Sequence, residues 1–146
     1  NLGAKEYDRA KKGALFGTVC GIGIAEVIGI AVFFFSPYLI AAFGGDQKAI
    51  EYGIAEAHTI ALFYCLVAFS HCMAAIQRGA GRSIVPMFVM MVVWCGIRVT
   101  YISIVIRIIP VINVIYWAYP LTWFISSVIF LILFLKTDWI HGLEKQ

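Results

Sequence analysis

Four long stretches of mostly apolar positions alternate along this chain with short polar breaks. The first runs over 13–35 and is closed by Ser36 and Pro37, after which Tyr38 to Phe43 is short and amphipathic enough to lie at an interface. Gly44 and Gly45 then turn the chain, and Asp46 suits the N-cap of the next helix. The second stretch covers 50–77 and stops at Gly79-Ala80-Gly81. The third covers 83–106, with Ser83 as its cap and Pro86 tolerated in its first turn. Arg107 to Asn113, containing Pro110, forms a short connection to the fourth stretch, 114–135. Pro120 lies inside that stretch and cannot bond the carbonyl of Tyr116, which predicts a kink or a late helix start. Lys136 to Gln146 is a polar tail.

A helix needs about 20 apolar residues to cross the hydrocarbon of a bilayer, and each stretch has them. Composition agrees: 62% of the 146 residues are hydrophobic and 13% are charged, against roughly a quarter charged in a soluble domain. The pattern predicts an all-α integral membrane bundle of four transmembrane helices, with membrane lipid as its solvent. The net charge of +3 is spread thinly and includes no basic run of the kind that grips nucleic acid. Asn1 in place of an initiator Met, before a charged segment without signal-peptide layout, suggests a piece of a longer protein.

Charge also sets an orientation. Lys5, Arg9, Lys11 and Lys12 precede the first span, Arg78 and Arg82 flank the second turn, and Lys136 and Lys145 follow the last span. If all four helices cross, these share one side and face only Lys48 and Arg107 on the other. The positive-inside rule then makes both ends cytoplasmic, in a multi-pass cell-membrane protein. Tyr116, Trp117, Tyr119 and Trp123 near the outer end, with Trp139 beyond the inner end, fit interfacial belts.

Few residues offer chemistry. Gly13, Gly17, Gly21, Ala25 and Gly29 recur every four residues and make a small-residue stripe for helix packing, or a sliding face in a moving transporter. Glu26 and Arg98 lie about 13 and 14 residues into outward-running helices, each roughly 20 Å deep at 1.5 Å per residue. A charge at that depth costs about 3 kcal/mol on insertion scales. Matching depth makes them candidates for an ion pair or a shared wet cavity, structural or coupled to a proton or cation. His71, beside Ser70, suits a proton relay or a hydrogen bond across helices. Glu56 and His58 sit near the outer end of the second span. Gly79 and Gly81 fit a turn that needs positive φ. Cys20, Cys65, Cys72 and Cys95 are scattered through the apolar stretches with no CxxC pair, so they read as packing residues and no metal site is expected. No GxSxG, HExxH or GK[ST] pattern occurs, and an enzyme is the least supported class.

Four motifs in order carry a family likeness. Asn1-Leu2-Gly3-Ala4 with Tyr7, Arg9, Ala10 and Lys11 resembles the "Q-N-x-G-A-x-x-x-x-R-A" loop of multidrug and toxic compound extrusion (MATE) transporters. Gln77-Arg78-Gly79-Ala80-Gly81-Arg82-Ser83 with Pro86 is similar to that family's "G-x-G-[DN]-x-[RKT]-x-P" turn. Trp94-Cys95-Gly96-Ile97-Arg98-Val99 resembles its "W-x-x-R-[ILV]-P" stretch, and Tyr116 to Trp123 resembles "G-I-W-x-A-x-P-[IL]-S-W". Thr100 stands where the family often has Pro, Arg82 where it often has an acid, and Cys65 to Phe69 lacks the carboxylate that some branches carry there.

The resemblance implies spans nine to twelve of a twelve-helix transporter, the remaining helices lying upstream of Asn1. It implies antiport, in which inward H⁺ or Na⁺ flow drives export of drugs or other small organic substrates, without an organic cofactor. A polysaccharide or lipid flippase of the same superfamily, favoured by cationic cavity residues such as Arg98, is one alternative. A non-transporting four-helix scaffold is the other.

Overall fold

A chain this apolar satisfies its backbone polar groups internally, and in hydrocarbon a helix does so within one segment. The computed structural model describes residues 1–140, which are mostly helical, with no strand among them. Its helices are α1 (Tyr7–Ala42), α2 (Gln47–Ala61), α3 (Tyr64–Gly79), α4 (Ile84–Met90), a π-helical segment (Met91–Ile97), α5 (Arg98–Ile108) and α6 (Asn113–Lys136). Three of them are long and apolar enough to cross a membrane: Tyr7–Ala42, the continuous Ile84–Ile108, and Asn113–Lys136. α2 and α3 make a fourth if taken together, but they are bent by 58° at the break between them. The membrane bundle expected from the sequence is present, with differences at almost every junction.

Ser36 and Pro37 do not end the first helix, and Tyr38 to Phe43 is not a separate interfacial piece. α1 runs through Pro37 to Ala42. Pro37 has no amide to give the Phe33 carbonyl, and the buried Ser36 hydroxyl donates to that carbonyl instead, at 3.3 Å. The helix stops at Gly44, whose φ of +70° is open to glycine and whose amide bonds Ala41 O.

The second apolar stretch is not one helix. At Leu62 and Phe63 the pattern tightens, Phe63 N donating to Ile60 O and Leu66 N to Phe63 O. Gly29 of α1 sits directly against the Ala61 carbonyl at this break, with no room for a side chain. Close approach of α1 is therefore built into the bend. Neither expected cap forms: Asp46 and Ser83 make no side-chain bond to the helices that they precede.

The third stretch holds a seven-residue π segment in its middle, a feature that apolar periodicity does not show. In the fourth, the start is not delayed, because α6 begins at Asn113 and carries the buried Pro120 within it.

α6 is the centre of the bundle. It packs on α2, α3, α4, the π segment and α5, while α1 packs on α2 and α3. Phe130, Met73 and Ala74 make the buried apolar core where α3 meets α6. Most large side chains of α1 and α4–α5 point outward, as expected of helices bathed by lipid or by neighbouring helices. At one end the Asn1–Gly3 loop, Gly79 and Trp139 line a common groove, and Arg82 donates to Asp138 O at 3.2 Å. The first, second and last basic clusters are thus drawn to the same end of the bundle; Lys145 lies outside the described residues.

Candidate functional site

Polar side chains gather where α3, the π segment and α6 meet. Thr122 and Ser126 lie one helical turn apart on α6, so both face the same neighbours. Ser70 of α3 lies 2.9 Å from Ser126 Oγ and 3.0 Å from Ser127 Oγ. The Trp94 indole donates to Ser126 at 3.1 Å, and Ser127 donates to the Leu66 carbonyl at 3.0 Å. One assignment of protons makes a single directed chain: Trp94 to Ser126, Ser126 to Ser70, Ser70 to Ser127, Ser127 to Leu66 O. It joins the π segment to the first turn of α3, just past the break.

Arg98 begins α5 beside this chain. Its guanidinium donates twice to Thr122 Oγ1, at 2.7 Å and 3.2 Å, and Thr122 passes its own proton to the carbonyl of Ala118 or Tyr119, at 2.9 Å or 3.0 Å. The guanidinium carbon sits 4.3 Å from the Tyr119 ring centre and 5.8 Å from that of Trp94. The cation is thus held by a hydroxyl and two π faces. His71 is exposed and makes a T-shaped contact with Trp94, ring centres 5.3 Å apart.

Glu26 is elsewhere. It lies on the α1 face that packs on α3, where the Cys65 thiol meets its carboxylate. Its Oε2 is buried and has no hydrogen-bond partner among the described residues. α3 and α6 stand between α1 and α5, so the expected pairing of Glu26 with Arg98 is not formed, and the two charges occupy opposite flanks. Equal depth along two helices says nothing about which of their faces meet. Farther along the same α1 face, His58 stacks on Phe33, ring centres 4.3 Å apart, with Nε2 buried and unpartnered.

The glycine stripe divides. A side chain at Gly21 would press on Cys72 Sγ, at 3.0 Å, and one at Gly29 on Ala61, whereas Gly13 and Gly17 have nothing within 4 Å. In the second turn only Gly81 takes positive φ, +81°. It ends α3 with two bonds, Gly81 N to Arg78 O at 3.0 Å and Arg82 N to Gln77 O at 2.9 Å. Gly79 is the last helical residue of α3 and needs no such freedom. The aromatic belt is also partial: Trp117 is exposed, while Tyr116 and Trp123 are buried. Among the described residues no three His, Cys, Asp or Glu side chains converge on a metal position.

Thr122, Ser126 and Ser127 escaped the sequence reading. The available signal was the i, i+4 spacing of Thr122 and Ser126 in an otherwise apolar span, the pattern that polar contacts between membrane helices take.

Comparison with known proteins adds the family. No curated protein and no solved structure matched the chain. The family model MatE matches residues 1–104, from the N-terminal loop through α1 to α4, the π segment and most of α5. The match stops before α6, so the likeness around Tyr116 to Trp123 rests on the motif alone. Matched over that length, and built of helices suited to span a bilayer several times, the chain belongs to the MatE family of membrane transporters.

Proposed function

We propose that this chain works within a cation-coupled antiporter that exports organic compounds, with Glu26 as a coupling carboxylate. The observation that carries this reading is the buried Glu26 Oε2, which has no hydrogen-bond partner among the described residues. A carboxylate left so in hydrocarbon is costly, and uptake of H⁺ or Na⁺ compensates it. Release of that ion on the other side of the membrane is the event that antiport requires. The helix break lies beside the site, Cys65 following it directly, and discontinuous spans in secondary transporters line ion and substrate sites. The basic end, which carries the N-terminal loop, is cytoplasmic in this proposal, and further helices complete the cavity.

The test is transport by the full-length protein in proteoliposomes, with a fluorescent organic cation and separate H⁺ and Na⁺ gradients. Glu26→Gln is expected to abolish gradient-driven accumulation, while substrate exchange without a gradient persists. Wild-type accumulation by Glu26→Gln under both gradients overturns the assignment. Arg98 favours a second reading, a flippase for anionic lipids or polysaccharides, because it is a half-buried cation held by Thr122 rather than by a carboxylate. Transport of an anionic lipid-linked substrate in preference to the organic cation selects that reading.

A further inference from the structure

An arginine carries five N–H donors in a planar fork, and the bundle uses two of those on Arg98. Nε and Nη2 both donate to Thr122 Oγ1, so one edge of the guanidinium is spent on a single fully buried hydroxyl. The other donor edge, Nη1 with the second Nη2 hydrogen, makes no hydrogen bond among the described residues, and no Asp or Glu among them pairs with the cation. The ionisable groups beside it are the Tyr119 phenol and the Cys95 thiol. Its orientation is set from further sides by the Tyr119 ring and, farther off, by Trp94. Trp94 is itself held by its bond to Ser126 and by the contact with His71. A half-buried guanidinium, fixed in place with two parallel donors unspent, is the geometry that recognises an anion through two oxygens at once.

The neighbouring donors narrow the choice of anion. The Trp94 N–H is committed to Ser126, and the Thr122 hydroxyl to the carbonyl of Ala118 or Tyr119. One pair of parallel N–H groups serves both oxygens of a carboxylate, whereas a phosphate or sulfate brings further oxygens that the pair does not reach. The surfaces beside the fork are rings, with Trp94 and Tyr119 half-buried and His71 exposed, and ring faces and edges suit a flat apolar body. We infer that Arg98 anchors a binding site for a small aromatic carboxylate, its two oxygens on the Nη1–Nη2 edge and its ring against Trp94 and His71. The inference rests on the anion-binding reading of Arg98 given above and narrows it to one class of ligand. It concerns binding at equilibrium, so it is read without any ion gradient and independently of Glu26.

The test is equilibrium dialysis of the full-length protein in detergent against radiolabelled 2-naphthoate, with protein-free micelles as the blank and the neutral 2-naphthalenemethanol as the matched isostere. Wild type is expected to bind naphthoate at least about tenfold more tightly than the alcohol, as a charge-assisted bidentate contact implies. Arg98→Lys keeps the charge and removes the fork, and is expected to lose about tenfold in naphthoate affinity with little change for the alcohol. Arg98→Gln is expected to bind the two probes equally. Thermal unfolding of each variant in the same detergent checks that it is folded, and Arg98→Lys carries the test where Arg98→Gln is not. Wild type that binds naphthoate no better than the alcohol overturns the inference, as happens where an acid from another helix of the protein fills the fork. Naphthoate binding by folded Arg98→Lys equal to that of wild type overturns it as well. So does displacement of naphthoate by equimolar inorganic phosphate, which identifies a free-phosphate site, or by equimolar phosphatidylglycerol, which identifies a lipid headgroup site.

Discussion

Thr122→Val is the sharpest probe of the bundle's polar centre. Valine keeps the shape of threonine and removes the oxygen that accepts both Arg98 contacts, at 2.7 Å and 3.2 Å. Hydrogen bonds to charged groups contribute about 1.5–3 kcal/mol, whereas polar contacts between membrane helices average about 0.6 kcal/mol because the unfolded helices find other partners. Taking about 1.5 kcal/mol for the short contact and about 0.5 kcal/mol for the long one gives a loss of about 2 kcal/mol, or roughly thirtyfold in the folding equilibrium. The cation–π contact with Tyr119 remains and limits the loss. Thr122→Ser keeps the oxygen and is expected within about 0.5 kcal/mol of wild type. Reversible unfolding of the full-length protein in mixed micelles, followed by helical circular dichroism, measures these values. A cycle with Arg98→Met isolates the pair, with an expected coupling of about 1.5 kcal/mol. Thr122→Val as stable as wild type, or equally costly with and without Arg98, refutes the reasoning.

Other expectations follow from the backbone. Gly29→Ala is expected to destabilise by about 1–3 kcal/mol, because its new methyl group meets the Ala61 carbonyl, while Gly13→Ala is expected within about 0.5 kcal/mol, as for a site without neighbours; the same unfolding assay reads both. Gly81→Ala, forced to φ +81°, is expected to lose about 1–2 kcal/mol, whereas Gly79→Ala, at the last helical position, is expected within about 0.5 kcal/mol of wild type. Ser36→Ala strips the Phe33 carbonyl of its donor and is expected to cost about 1 kcal/mol. For topology, single cysteines replacing Lys12 and Lys136 in a cysteine-free background are expected to label from one side of sealed vesicles, and one replacing Lys48 from the other.

What the sequence revealed and what it hid divide along physical lines. Span existence was legible, because apolar length is a one-dimensional property and lipid enforces it strictly. Helix ends were less so. Pro37 reads as a stop only if the lost bond goes uncompensated, and Ser36 compensates it at a distance of one residue. The break at Leu62–Phe63 carries no proline or glycine of its own, and the glycine packed against it, Gly29, lies more than thirty positions away on another helix. The same limit explains the site. Glu26 and Arg98 were visible as charges in apolar surroundings, yet the groups beside them, Cys65 and Thr122, are ordinary residues whose role depends on which helices become neighbours. Gly81 was legible because positive φ is a local demand, and Gly79 was miscounted with it because the two letters look alike.

The π segment has a consequence for how chain length is distributed. Bonds from each residue to the fifth along gather more residues into a turn than α geometry does, so Met91–Ile97 holds surplus chain relative to the helices on either side. A one-residue deletion inside it lets the stretch relax to ordinary α winding while Pro86 and Arg98 keep nearly the same rotational phase. The same deletion in α6 swings every residue beyond it by a hundred degrees and takes Ser126 off Ser70. The third span therefore has a slack region in which relatives of this protein are free to differ by one residue, and the sixth helix has none.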